Sequence, residues 1–136
     1  MIFRFVAIVR KSIEDYALPN GIVTYDELLV DHVGANFDRT TGKFISPRKG
    51  VYLFTFDGFV YGRCNAGELK FYVNGQDSSH IIEQSTDGIS SRGINGMKAV
   101  ILNEGDEVYL RNIYSSCIFG DELHTFTFMG TALLYL

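Results

Sequence analysis

An all-β sandwich that associates with further copies of itself is the fold this sequence predicts, and three observations predict it. Short segments rich in Phe, Tyr, Val and Ile are separated by turn dipeptides at Asn20-Gly21, Asn74-Gly75, Asp87-Gly88 and Asn95-Gly96 and by Glu104-Gly105-Asp106; such punctuation marks strands joined by tight turns. At least two of these strands are apolar on both alternating faces. The 136 residues, 46% of them hydrophobic, are enough for one real core and about the length of one domain.

Taken in order, strands are predicted at 3–9, 22–30, 43–46, 50–60, 68–74, 79–84, 92–103, 106–114 and 124–136, with a short segment near 117–119. Ile13 to Leu18 is the one helical candidate, and Pro19 ends it too early for a stable helix. Proline occurs only at 19 and 47, and no repeat or low-complexity linker divides the chain, so residues 1–136 read as a single domain. In 50–60, Tyr52, Phe54 and Phe56 share one face while Val51 and Leu53 occupy the other. The segment 125–136 repeats this, with Phe126, Phe128 and Leu134 among its large apolar residues. A strand with one wet face alternates apolar and polar residues; a strand apolar on both faces calls for a second sheet on one side and another subunit, or covering loops, on the other.

The charge balance excludes several functions. With 12 Lys+Arg against 16 Asp+Glu the net charge is −4, which gives no basic footprint for nucleic acid. Apolar runs such as 99–102 and 132–136 fall far short of the roughly 20 residues that cross a bilayer, so membrane insertion is not expected. The opening Met1 to Arg10 is interrupted by Arg4 and Arg10 and is too short for a secretory signal, which leaves a cytosolic protein or an excised domain. Cys64 and Cys117 allow one bridge or two free thiols. Thr40-Thr41-Gly42-Lys43 lacks the glycine of a phosphate-binding loop, since Phe37 stands there, and Gly88-Ile89-Ser90-Ser91-Arg92-Gly93 misses the spacing of a nucleophile elbow. His32, His80 and His124 are far apart, and the acidic residues near turns (Glu83, Asp87, Glu104, Asp106, Glu107, Asp121, Glu122) form no linear calcium loop. No nucleophile and base pair is visible, so the chain is not read as an enzyme.

Residues 36–56 carry a specific pattern: aromatic-Asp at Phe37-Asp38, Thr-Gly-x-Phe at Thr41, Gly42 and Phe44, then Gly-x-Tyr-x-Phe-x-aromatic at Gly50, Tyr52, Phe54 and Phe56. This resembles the central motif of the complement C1q globular-head family. The opening Phe5-Val6-Ala7-Ile8-Val9 resembles the family's first strand, and Leu102 to Leu110 its Leu-x-x-Gly-Asp-x-Val-aromatic-Leu segment. The ending Phe128-Met129-Gly130 into Leu133-Leu134-Tyr135 resembles Phe-x-Gly-x-Leu-Leu-Tyr with one residue added, and a further extra residue falls between Asp31 and Asn36.

The resemblance implies a jelly-roll sandwich of about ten antiparallel strands, similar to tumour necrosis factor, forming a homotrimer that is secreted and often carried behind a stalk; Met1 is then an added start. It implies that Tyr52, Phe54, Phe56, Tyr109, Phe126, Phe128 and Leu134 serve the core and the subunit interface. Some relatives bind calcium through an acidic triad, whose positions here hold Gln84, Ser85 and Arg92, so that site is not carried over and no cofactor is expected from it; a different calcium site at Glu83 and Asp87 stays open. The function implied is recognition of microbial polysaccharide or lipopolysaccharide by weak contacts multiplied through avidity, with a host-receptor or matrix ligand as the alternative. Candidate contacts are the polar residues Arg63, Asn65, Asp77, His80, Asp87, Arg92 and Asp121.

Overall fold

The computed structural model describes residues 4–9, 21–32, 36–60, 67–78, 82–84, 92–112, 118–119 and 125–136. Their strands are β1 (Arg4–Val9), β2 (Glu27–Asp31), β3 (Phe37–Asp38), β4 (Lys43–Ile45), β5 (Gly50–Val60), β6 (Gly67–Val73), β7 (Gln76–Asp77), β8 (Ile82–Gln84), β9 (Arg92–Leu102), β10 (Glu107–Asn112), β11 (Ile118–Phe119) and β12 (Phe126–Tyr135). They form two six-stranded sheets. The first runs β9-β5-β12-β1-β2, with β11 on the far end of β5; the second runs β3-β4-β10-β6, with β7 and β8 both on β6. Every pairing is antiparallel. This is the jelly-roll sandwich, and its long strands fall within a few residues of the expected ones.

Alternation builds the core. Along β5, Tyr52, Phe54 and Phe56 are buried, and they stand across from Ala132, Gly130 and Phe128 of β12. Large side chains meet small ones at two of these three pairs. A Cβ on Gly130 would stand 2.6 Å from the Phe5 ring and 2.8 Å from that of Phe54, so only glycine leaves room for both. Phe5 stacks on Phe37 at 4.1 Å and meets Phe128 edge-on at 5.2 Å; Phe44 meets Phe54 edge-on at 5.4 Å. Phe126, Phe71, Leu69, Val108 and Leu110 complete the same cluster. Rings in these offset and edge-on arrangements add to the stabilisation from burial alone.

The expected strand 22–30 is corrected to β2 at Glu27–Asp31. Val23 and Tyr25 are buried as alternation requires, but their backbone serves no single strand: Val23 N donates to Leu110 O in the second sheet, Tyr25 N to Arg39 O, and Asp26 N to Ile8 O in the first. The segment crosses from one sheet to the other, which apolar patterning cannot distinguish from a continuous strand. The two-residue strands β3 and β7 were not anticipated. The helical candidate at 13–18, the added residue after Asp31, and Cys64 and Cys117 lie outside the described residues.

Three turns carry the motif residues. Asp38 opens the β3–β4 turn: Thr40 Oγ1 and Thr40 N donate to Asp38 Oδ1 at 2.6 and 2.9 Å, and Gly42 N donates to Asp38 O at 2.8 Å. Those Thr40 bonds hold the Asp38 carboxyl below its ordinary value. Gly42 has φ +75°, and a Cβ there would collide with the Val23 carbonyl, so the position demands glycine twice over. Between β4 and β5, Tyr52 OH donates to Arg48 O at 2.6 Å and Ser46 Oγ donates to the same carbonyl at 2.9 Å. Asp106 accepts from Asn103 N at 2.8 Å and from Asn74 Nδ2 at 3.0 Å, while Asn74 Oδ1 accepts from Glu107 N at 2.8 Å. The Gly-Asp motif thereby ties the β9–β10 turn to the Asn74-Gly75 hairpin.

Candidate assembly face

The side chains of the first sheet that point away from the core are apolar across most of its width. One row reads Val30, Val6, Met129, Thr55 and Met97 across β2, β1, β12, β5 and β9. The next reads Arg4, Thr131, Leu53 and Ala99, and the last Leu134, Val51 and Ile101. Toward the other end the face turns polar, with Thr127, Asp57 and Asn95 in one row. Met97 is 72% exposed, Ile101 63%, Leu134 58% and Met129 42%. Exposed apolar faces of this extent are uncommon on monomeric domains, which makes this one the candidate surface for assembly.

The register explains why Leu133 and Leu134, adjacent in the chain, both lie open. Pairing of β12 with β5 runs Ala132↔Tyr52 and then Leu134↔Val51, so Leu133 is the extra residue of a β-bulge. Beyond it, Tyr135 pairs with Gly50 and lies under the Arg48 guanidinium at 4.5 Å, and Leu136 N donates to Lys49 O at 3.0 Å. The strand end is thus held in place while Leu133, Leu134 and Leu136 stay exposed.

The outward face of the second sheet is built differently. Lys43, Glu107, Tyr109, Arg111, Lys70, Tyr72 and Asp77 occupy it, and they engage one another across strands. Tyr109 stands opposite Tyr72, their rings stacked at 5.6 Å. Lys43 lies over the Tyr109 ring at 5.6 Å and 3.6 Å from Glu107. Arg111 lies over Tyr72 at 5.3 Å and donates to its hydroxyl at 3.4 Å; Lys70 pairs with Asp77 at 2.9 Å.

Of the residues assigned to core and interface, Tyr52, Phe54, Phe56, Phe126 and Phe128 lie in the central cluster, Leu134 on the open apolar face, and Tyr109 on the second face under Lys43 and beside Tyr72. Of the candidate ligand contacts, Asp77 is on β7 in its ion pair with Lys70, and Arg92 begins β9. Arg63, Asn65, His80, Asp87 and Asp121 lie outside the described residues, as does Ser85, while Gln84 ends β8. Among the described residues no three His, Cys, Asp or Glu side chains converge to hold a metal. An open hollow of about 530 Å³ lies beside β3 and β4, and its charged residues, Asp38 and Lys43, are engaged with Thr40 and Glu107. Sequence reasoning missed the paired tyrosines; Tyr72 and Tyr109 each alternate with buried apolar neighbours, and that period-two signal assigns them to the outward face.

Comparison with known proteins matches residues 5–133 to the family model described as C1q domain. Among relatives, mouse complement C1q tumor necrosis factor-related protein 3 is 33% identical over 103 residues, 75% of this chain and 41% of that protein. Mouse complement C1q tumor necrosis factor-related protein 2 is 29% identical over 111 residues, 82% of this chain and 35% of that protein. The matched stretches therefore cover 41% and 35% of these relatives' own lengths. The globular domain of zebrafish complement 1qA superposes with a TM-score of 0.75 at 18% identity, covering 97% of both chains. Murine APRIL superposes at 0.63 with 10% identity, covering 96% of this chain and 99% of its own.

Proposed function

The chain belongs to the C1q domain family, and from that membership we propose that it is a binding module that acts outside the cell as a homotrimer, closed through the open face of the first sheet. The observation that carries the reading is the contrast between the two outward faces. One exposes Met97, Ile101, Leu133 and Leu134, while the other pairs its charges and rings within the chain. Burying the first face against a neighbour removes apolar surface from water, at roughly 25 cal/mol per Å². The second face and the loops then point outward in three copies, where weak contacts gain by avidity.

The occupant we favour is a host receptor or matrix protein, because the relatives matched at 29% and 33% identity are C1q/TNF-related proteins. Recognition of microbial polysaccharide or lipopolysaccharide is the second reading, supported by the fold shared with a complement globular domain. Sedimentation of the purified chain tests the assembly: a trimer supports it, and a monomer at every concentration overturns it. The verified trimer is then applied to microbial glycans, lipopolysaccharide and cell-surface protein extracts, with calcium and with EDTA. Saturable, protease-sensitive binding to the extracts supports the first reading, and saturable glycan binding the second.

A further inference from the structure

We propose that Met97 and Met129 form an oxidation site through which peroxide blocks self-association; this rests on the assembly reading above. The chain has three methionines. The two beyond Met1 both stand on the open face, 72% and 42% exposed, in one cross-strand row with only Thr55 of β5 between them. At about 4.8 Å per strand their Cα atoms are on the order of 10 Å apart. Val6 and Val30 extend the row on the side of Met129, so both thioethers lie within the apolar area that a second copy would cover.

The chemistry is a two-electron oxygen transfer. The thioether sulfur attacks one oxygen of hydrogen peroxide, an S–O bond forms as the O–O bond breaks, and the displaced oxygen leaves as water after proton transfer. Sulfur is oxidised to the sulfoxide and peroxide is reduced. The product replaces a flexible apolar side chain by a polar one, and burying that S=O without a donor opposes association. Each sulfoxide is expected to weaken association about tenfold or more. Because oxidation needs access, assembled chains are protected and unassembled chains are the substrate.

The test treats the whole chain with hydrogen peroxide below and above its assembly concentration, maps oxygen addition by peptide mass spectrometry, and measures size by sedimentation. The double variant Met97→Leu/Met129→Leu, which preserves volume closely, is treated in parallel. The proposal expects oxidation at both sulfurs to be slower at high concentration, the oxidised protein to remain folded by circular dichroism yet dissociated, and the leucine variant to stay assembled after the same treatment. Reduction of the sulfoxides by methionine sulfoxide reductases with a thiol donor should restore assembly. An oxidised protein that assembles as well as the untreated one overturns this inference and leaves the assembly reading standing, as does a leucine variant that dissociates equally. An untreated protein that never self-associates overturns both.

Discussion

The two outward faces of the sandwich use the same device, alternation along antiparallel strands, and end in opposite states. On β6 and β10 the outward positions hold Tyr72, Tyr109, Lys70 and Arg111, and the register sets ring beside ring and cation over ring or beside carboxylate. On β5, β9 and β12 the outward positions hold Leu53, Ile101, Met97, Met129 and Leu134, which offer only apolar surface to whatever lies above them. Burial on one side fixes the fold, while the residue types on the other side decide whether a face is finished within the chain or left open to a partner.

The largest effect breaks both faces together. Phe54 is fully buried among Phe5, Phe44 and Phe128, so Phe54→Asp places a carboxylate where nothing solvates it, a loss of more than about 5 kcal/mol. Loss of the cooperative thermal transition is the expected outcome, and a folded protein carrying this change would refute the packing described.

The next experiment sharpens the contrast by cutting each face separately. Ile101→Asp is expected to abolish the proposed trimer and leave the monomer's stability within about 0.5 kcal/mol, as for an exposed site. Tyr109→Ala is expected to cost about 2–4 kcal/mol through lost packing on Tyr72 and Lys43, with subunit stoichiometry unchanged. Sedimentation and denaturant melts should therefore move in opposite combinations. If both variants change the same property, the division of labour between the faces is wrong.

How much of this was legible beforehand follows from what local pattern encodes. The inward ladder Tyr52, Phe54, Phe56 is a matter of period, so it could be read directly, and the glycines at 42 and 50 stood out through the motif that resembles the C1q family's. The crossing of residues 22–26 between the sheets could not, because Val23 and Tyr25 have the same burial period whichever sheet accepts their hydrogen bonds. Tyr72 facing Tyr109 was hidden too, since their meeting depends on the register of two strands far apart in the chain. The apolar outer face was legible as composition, but its rows, and the bulge that opens Leu133, depend on pairing.

A smaller effect concerns how the ladder is anchored. Tyr52→Phe keeps the ring but leaves Arg48 O, among the described residues, with only the Ser46 hydroxyl as a side-chain donor. A loss of about 1 kcal/mol is expected in denaturant unfolding, with self-association unchanged. A loss near zero would show that Ser46 alone holds the β4–β5 corner.

The smallest effect sits on an exposed turn and is read through pH. Because Thr40 donates twice to Asp38, the folded carboxyl titrates below its ordinary value of 3.8. The sign follows from proton binding: near that value the unfolded chain holds more protons at this site than the folded one, so stability rises with pH there. The contribution is fully present above the unfolded value and is lost as pH falls through the depressed folded one. Asp38→Ala removes it, so the gap in stability between wild type and variant should be constant from neutral pH down to about 5 and should shrink at lower pH. The residue stands across from Lys43 at the β3 edge of the second sheet, away from the open apolar face of the first, so the variant should leave the assembled size unchanged. A gap that stays constant down to pH 2 would mean that the Thr40 bonds do not favour the ionised form, and that Asp38 serves the turn through its backbone alone.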